Sequence, residues 1–285
     1  MYVISNNIIE VGVNTLGAEL EYIKINGIDI LWKKTDLWNQ QSPVLFPIVG
    51  GLKDGFYFYE GKKYELKPHG FISSKKFEVA YLDKNKIILS SKYDQDTLLC
   101  YPFKYELRLT YHIEDYSLKV SLEVKNLNDK QISFSIGIHP GFSYAGLYAL
   151  LGSNFKMKFT SDKPEEILFN PSYVIGKTSV NIPYLCLDDI SRDLEIKRTI
   201  CYKGVNSLEL SSKKCCLRFT NEMSYMAFWQ KNPNNNPEFI CIEGWDGIPD
   251  YENTNHNFND KEGNIILAAN DKYIRNFEIK IIKGE

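Results

Sequence analysis

The chain has 285 residues, 44% hydrophobic and 25% charged, and its 34 basic and 36 acidic residues leave a formal net charge of −2. That composition supplies a large core and excludes intrinsic disorder, which needs low hydrophobicity or high net charge. The near-neutral balance provides no global field toward nucleic acid or an anionic membrane, and no apolar run is long enough to span a bilayer.

The opening segment, Met1-Tyr2-Val3-Ile4-Ser5-Asn6-Asn7, lacks the charged and apolar regions of a secretory signal, so a cytoplasmic protein is expected. Ser73-Ser74-Lys75-Lys76 reads as a solvated turn, as does Ser211-Ser212-Lys213-Lys214. Strand alternation begins clearly at Lys86 to Ser90 and becomes long at Tyr105, Leu107, Leu109, Tyr111 and Ile113, which alternate with Glu106, Arg108, Thr110 and His112. Across Glu114-Asp115-Tyr116, Leu118, Val120, Leu122 and Val124 repeat the pattern, predicting a hairpin with one buried face. Leu208 to Leu210, Leu217 to Thr220, and Phe277, Ile279 and Ile281 continue it. No window of helical length carries a clean apolar stripe at i, i+3, i+4 and i+7. Short strands separated by Asn-Gly, Lys-Asp-Gly and proline-containing turns predict an all-β sandwich or barrel. No Pro-, Gly- or Ser-rich linker divides residues 1–285, so a single domain is expected. The six cysteines show no C-x-x-C spacing, which disfavours a disulfide framework and a zinc site. Cys215 and Cys216, adjacent in a strand, would point to opposite faces.

Two histidines stand in unusual contexts. His69 lies in Pro68-His69-Gly70-Phe71 and His139 in Gly137-Ile138-His139-Pro140-Gly141-Phe142, each followed by a small or rigid residue and then an aromatic, in segments that read as strand ends. His112 falls on the polar side of the hairpin and reads as structural; His256, in Asn253-Thr254-Asn255-His256-Asn257, reads as an exposed loop residue. Glu243, in Cys241-Ile242-Glu243-Gly244-Trp245, completes a set able to move protons near neutrality.

Several dispersed segments carry a family resemblance. They are Trp38-Asn39-Gln40-Gln41-Ser42-Pro43-Val44-Leu45-Phe46-Pro47-Ile48-Val49-Gly50, Leu52-Lys53-Asp54-Gly55, Tyr64-Glu65-Leu66 and His69-Gly70-Phe71. Tyr101-Pro102-Phe103, Ser135-Ile136-Gly137-Ile138-His139-Pro140, Ile240-Cys241-Ile242-Glu243, and Lys261-Glu262-Gly263 followed by Ile266-Leu267 continue the series. In this order they resemble the aldose 1-epimerase (galactose mutarotase) family, its lactose-operon LacX-like branch in particular. The resemblance implies a large antiparallel β-sandwich, the galactose mutarotase-like supersandwich, with a small-molecule sugar on its concave face and no cofactor. It implies that Glu243 is the general base at the C1 hydroxyl, His139 the general acid at the ring oxygen, and His69 a support for that oxygen. Trp229, Trp245, Phe71 and Phe142 could offer apolar faces to the sugar or pack in the core.

Departures from the family pattern bear on the substrate. Gly51 and Ser73 stand where relatives commonly carry arginine, Gly244 replaces a proline after the glutamate, and Arg198 aligns with an expected aspartate. The proton-transfer set is therefore intact and the hydroxyl-recognition set altered, which leaves open an epimerase for a phosphorylated or otherwise anionic sugar, contacted by Arg198. A catalytically weak sugar-binding or sensing protein is a further alternative. His69, His139 and Glu243 would also make a two-histidine, one-carboxylate metal triad, although no metal is expected. A glycosidase would need a second carboxylate, for which Asp246 and Asp250 are the sequence neighbours.

Overall fold

Strand alternation in the sequence becomes pairing register in the computed structural model, which describes residues 1–170, 172–231 and 237–284. Strands β1 (Tyr2–Ser5), β2 (Ile9–Val13), β3 (Leu20–Ile25) and β4 (Ile28–Asp29) form a four-stranded antiparallel sheet. Asn26 and Gly27, both at positive φ, close its last hairpin, as the Asn-Gly pair predicts. After the short strand β5 (Val44–Leu45) come the hairpin of β6 (Phe56–Tyr59) with β7 (Lys62–Glu65), and the pair β8 (Glu78–Leu82) and β9 (Lys86–Lys92). The expected long hairpin is β10 (Tyr105–Glu114) with β11 (Ser117–Asn126), in continuous register from Tyr105 opposite Asn126 to Glu114 opposite Ser117.

The second half supplies β12 (Ile132–Phe134), β13 (Ile136–Ile138), β14 (Gly141–Ser143), β15 (Lys156–Asn170), β16 (Tyr173–Ser179) and β17 (Thr199–Ser211). It ends with β18 (Cys215–Asn221), β19 (Tyr225–Trp229), β20 (Phe239–Asp246), β21 (Ile265–Leu267) and β22 (Lys272–Lys283). Fourteen strands join one sheet in the order β5-β13-β20-β19-β17-β18-β22-β11-β10-β9-β8, with β14 on β20 and the β15–β16 pair on β17. Strands make up 52% of the chain and helices 12%, with large antiparallel sheets, so the all-β expectation holds. One face of this sheet carries the main core: Leu107, Leu109 and Tyr111 from β10, Met226 and Phe228 from β19, and Ile240 and Ile242 from β20 are all buried in it. Residues of opposite parity, Cys201, Tyr225, Ala227 and Trp245, form a second, smaller cluster with Leu45, Val49 and Ile248 on the other face. That second face holds the site.

Three short helices depart from the helix-free reading. The six-residue α1 (Gln95–Cys100) is held by a capping box between Asp94 and Thr97, too short to show a stripe. Helix α2 (Tyr144–Leu151) is apolar on most sides and capped by the Ser143 hydroxyl. In α3 (Leu187–Lys197) the buried positions are Leu187, Ile190, Ser191 and Leu194, the helical spacing, but the stripe is masked by a serine that exchanges hydrogen bonds with buried Gln230. The six cysteines are free, and Cys215 is buried while Cys216 is half-buried on the opposite face.

Candidate active site

Strand parity alone brings Cys241, Glu243 and Trp245 of β20 to the face away from the main core. Glu243 is opposite Ala227 of β19, which is opposite Cys201 of β17, so only small side chains flank the carboxyl and the space above it stays open. On the other side Gly137 of β13 is opposite Trp245, and a Cβ there would lie 2.9 Å from the indole. The glycine thus lets the Trp245 ring settle beside the strand, where Nε1–H donates to Glu243 Oε2 at 2.9 Å. His139 follows β13 directly; its backbone N–H donates to the Pro43 carbonyl at 3.0 Å, and its Nε2 lies 3.3 Å from Glu243 Oε1.

His69 comes from a loop rather than the strand end expected for it, four residues past β7, with φ of 65°. Its backbone N–H donates to the Gly50 carbonyl at 2.9 Å, and Gly50 N–H donates back to its Nδ1 at 3.2 Å. Accepting that bond occupies the Nδ1 lone pair, so the neutral ring carries its proton on Nε2. The His69 and His139 rings meet edge to face, centroids 5.5 Å apart.

Burial dominates the electrostatics. It raises the Glu243 carboxyl well above its ordinary range, opposed by the Trp245 hydrogen bond. It lowers His139 well below its ordinary range, with the His69 charge acting in the same sense. His69 is lowered to about 4, also by burial, although the residue is half-buried and lines the cleft. Glu243 Oε1 and His139 Nδ1 are buried with no hydrogen-bond partner among the described residues. Both belong to residues that line the cleft, so its base carries unsatisfied polar groups of the kind that a native structure ordinarily pairs.

The cleft encloses about 660 Å³ and is walled by Trp38, Trp229, Phe169 and Tyr173, with Arg198 and Lys231 also lining it. That volume falls in the usual range for small-molecule sites. Trp38 and Trp229 flank the His139 ring at centroid distances of 5.3 and 5.6 Å.

Glu243, His139, His69, Trp229 and Arg198, dispersed in sequence, therefore line one cleft, with Trp245 in its floor. Phe142 and Phe71 do not. Phe142 is fully buried on the main-core face against Phe219, and Phe71 packs on Phe46, Tyr101 and Tyr105, so core packing accounts for both rings. His256 is half-buried, not exposed, stacked on Phe56 at 4.3 Å. Asp246 faces away from the cleft toward Ser224 and Tyr273, and Asp250 is held by Lys261 at 2.9 Å, so neither partners Glu243 across a scissile bond. Among the described residues the metal-compatible group is His139, Cys241 and Glu243, with ligand atoms within 4.8 Å, and His69 lies outside it. Trp38, Tyr173 and Lys231 were not singled out from sequence. Lys231 could have been, since it lies two residues past Trp229 and shares its parity.

The family model for aldose 1-epimerase matches residues 1–280. The plasmid and chromosomal LacX proteins of Lactococcus lactis subsp. lactis are each 24% identical over 270 residues, covering 86% of this chain and 87% of theirs. A galactose mutarotase related enzyme from Lactobacillus acidophilus superposes with a TM-score of 0.89 at 27% identity, covering 98% of this chain and 96% of that one. A galactose mutarotase-like protein from Lactobacillus casei gives 0.86 at 22%, covering 99% of both chains.

Proposed function

The chain belongs to the aldose 1-epimerase family, and from that membership we propose that it interconverts the α and β anomers of an aldose by acid–base opening and reclosure of the ring. The observation that carries the reading is the Glu243 Oε1 to His139 Nε2 separation of 3.3 Å at the base of a cleft of sugar-accommodating size. In this reading Glu243 takes the proton of the C1 hydroxyl while His139 protonates the ring oxygen, and the C1–O5 bond breaks to give the free aldehyde. Rotation about C1–C2 presents the other carbonyl face, and the reverse transfers close the ring. The Nε2–H of His69 donates toward the same ring oxygen.

Burial favours neutral forms of both groups, a carboxylic acid and an uncharged imidazole. The working ion pair differs from that state only by moving one proton between partners 3.3 Å apart. The Glu243 carboxyl and the His139 imidazole, raised and lowered respectively by the same burial, therefore titrate as a coupled pair.

Anomer exchange followed by polarimetry or two-dimensional NMR tests the assignment. Glu243→Gln abolishes exchange, because the amide keeps the shape and cannot accept the proton. His139→Ala lowers kcat by at least about a hundredfold, whereas His112→Ala, half-buried beside Glu114 on the far hairpin, leaves it near normal. Near-normal turnover in Glu243→Gln removes Glu243 from the mechanism. Exhaustive chelation leaves the rate unchanged; loss restored by added Zn²⁺ would move the chemistry to the His139, Cys241, Glu243 group.

Gly51 favours a second reading, a sugar-binding protein of low turnover. A Cβ at Gly51 would meet no atom within 4 Å, so the wall lacks a side chain where the family resemblance implies a cation. Saturable sugar binding without exchange would establish it.

A further inference from the structure

The cleft has a charge asymmetry that anomer exchange does not use. Arg198 and Lys231 both line it, both are exposed, and neither makes an ion pair or a hydrogen bond to a carboxylate among the described residues. A third cation touches the wall from outside the lining: Lys53 Nζ lies over the ring of Tyr173 at 4.5 Å. Against these, the one carboxyl lining the cleft among the described residues is Glu243, at its floor.

The local fold explains how the cations come together. Thr199 of β17 is opposite Trp229 of β19, so Arg198 before one and Lys231 after the other emerge at the same end of two neighbouring strands, beside Trp229. Arg198 is also the C-cap of α3, its backbone turned to φ 63° and its N–H donating to the Leu194 carbonyl. A cation at a helix C-terminus is ordinarily explained by the macrodipole. Here Lys197 already occupies the last turn, paired with Glu166 at 2.6 Å, and the left-handed backbone at Arg198 serves to turn the chain from α3 into the edge of the cleft.

A guanidinium with no carboxylate partner among the described residues, lining the same cleft as an ammonium, matches the oxygens of a phosphate monoester, the guanidinium as a bidentate fork and the ammonium as a point charge. We infer that Arg198 and Lys231 form an anion subsite, and that the sugar turned over is an aldose phosphate, its phosphate carried on a carbon other than C1. The inference rests on the epimerase reading for the placement of C1 at Glu243 and His139.

The test compares anomer exchange of galactose, glucose, their 6-phosphates and galacturonate by two-dimensional NMR. The wild-type protein should show the higher kcat/KM on the 6-phosphates. Arg198→Ala should raise KM for them on the order of 10- to 100-fold, the usual effect of removing a hydrogen bond to a charged group, and leave the neutral sugars within about twofold. Lys231→Ala should act in the same direction, and Arg198→Lys should recover part of the loss. Equal effects on neutral and phosphorylated sugars, or no preference for the phosphates, would overturn the inference and leave the epimerase reading standing; a preference for galacturonate would overturn the assignment of phosphate. If no sugar is exchanged, the epimerase reading fails instead, and calorimetric binding of glucose 6-phosphate weakened by Arg198→Ala would still uphold the subsite.

Discussion

Glu243 has no exposed surface, and burial raises its pKa well above the ordinary value of 4.5. An acid whose folded pKa exceeds its unfolded value binds protons more tightly when folded, so its contribution to stability is fullest at low pH and is lost as pH rises above about 4.5. The imidazoles work in the opposite sense. His69, lowered to about 4, is fully compatible with folding above its ordinary value of 6.5, and stability falls as pH drops from 6.5 toward 4. Glu243→Gln should therefore raise the melting temperature as well as abolish turnover, with a gain over wild type that grows as pH rises above 4.5. A constant difference across pH 4 to 8 by calorimetry would mean that the carboxyl is not held protonated by burial. A residue retained at a cost to stability fits a reactive centre better than a packing role.

At the level of elements, the cleft depends on how two loops meet. Gly50 has φ of 66°, and a Cβ on it would collide with the ring of Pro249. Pro249 is steadied from behind by Asp250, which is bound to Lys261 and to the backbone N–H of Lys53. Gly50→Ala should cost about 1–3 kcal/mol, the range for a special backbone conformation, and weaken sugar binding as Pro249 shifts. Gly51→Ala, one residue on with open space around it, should change stability by less than about 0.5 kcal/mol. Denaturant titration of the two variants distinguishes them, and equal losses would contradict the role given to Pro249.

The hairpin of β10 and β11 was legible because one face is buried and one is solvated, so hydrophobicity alternates cleanly. Much of the site had no such signal. Whether Phe142 faced the sugar or the core was undetermined from sequence because both environments accept an aromatic ring, and the structure places it against Phe219. Helix α3 was hidden because a buried hydrogen-bonding serine looks solvent-facing in a hydropathy pattern. Glu243 and His139 were found through the segments around them; their juxtaposition depends on β13 pairing with β20, a contact between residues about a hundred positions apart that no local pattern encodes.

At the scale of the whole molecule, the large sheet runs without interruption from β5 to β8, and we propose that the described chain unfolds as one unit. Phe277 of β22 is fully buried near Phe219, and Phe277→Ala should cost about 3–5 kcal/mol. Tryptophan fluorescence, which reports on Trp32, Trp38, Trp229 and Trp245, and circular dichroism, which reports on strands throughout, should give coincident transitions within each protein, with both shifted to lower denaturant in the variant. Separate transitions would divide the chain into independent units.

The position of β22 also has a consequence for biosynthesis. This strand lies between β11 and β18, yet it is made after both. Until residues 272–283 are made, β11 and β18 lack the partner that pairs the sides they turn to β22, and unpaired strand edges invite pairing with another chain. A strand needed at the centre of the sheet is thus supplied late in the chain, after both of its neighbours.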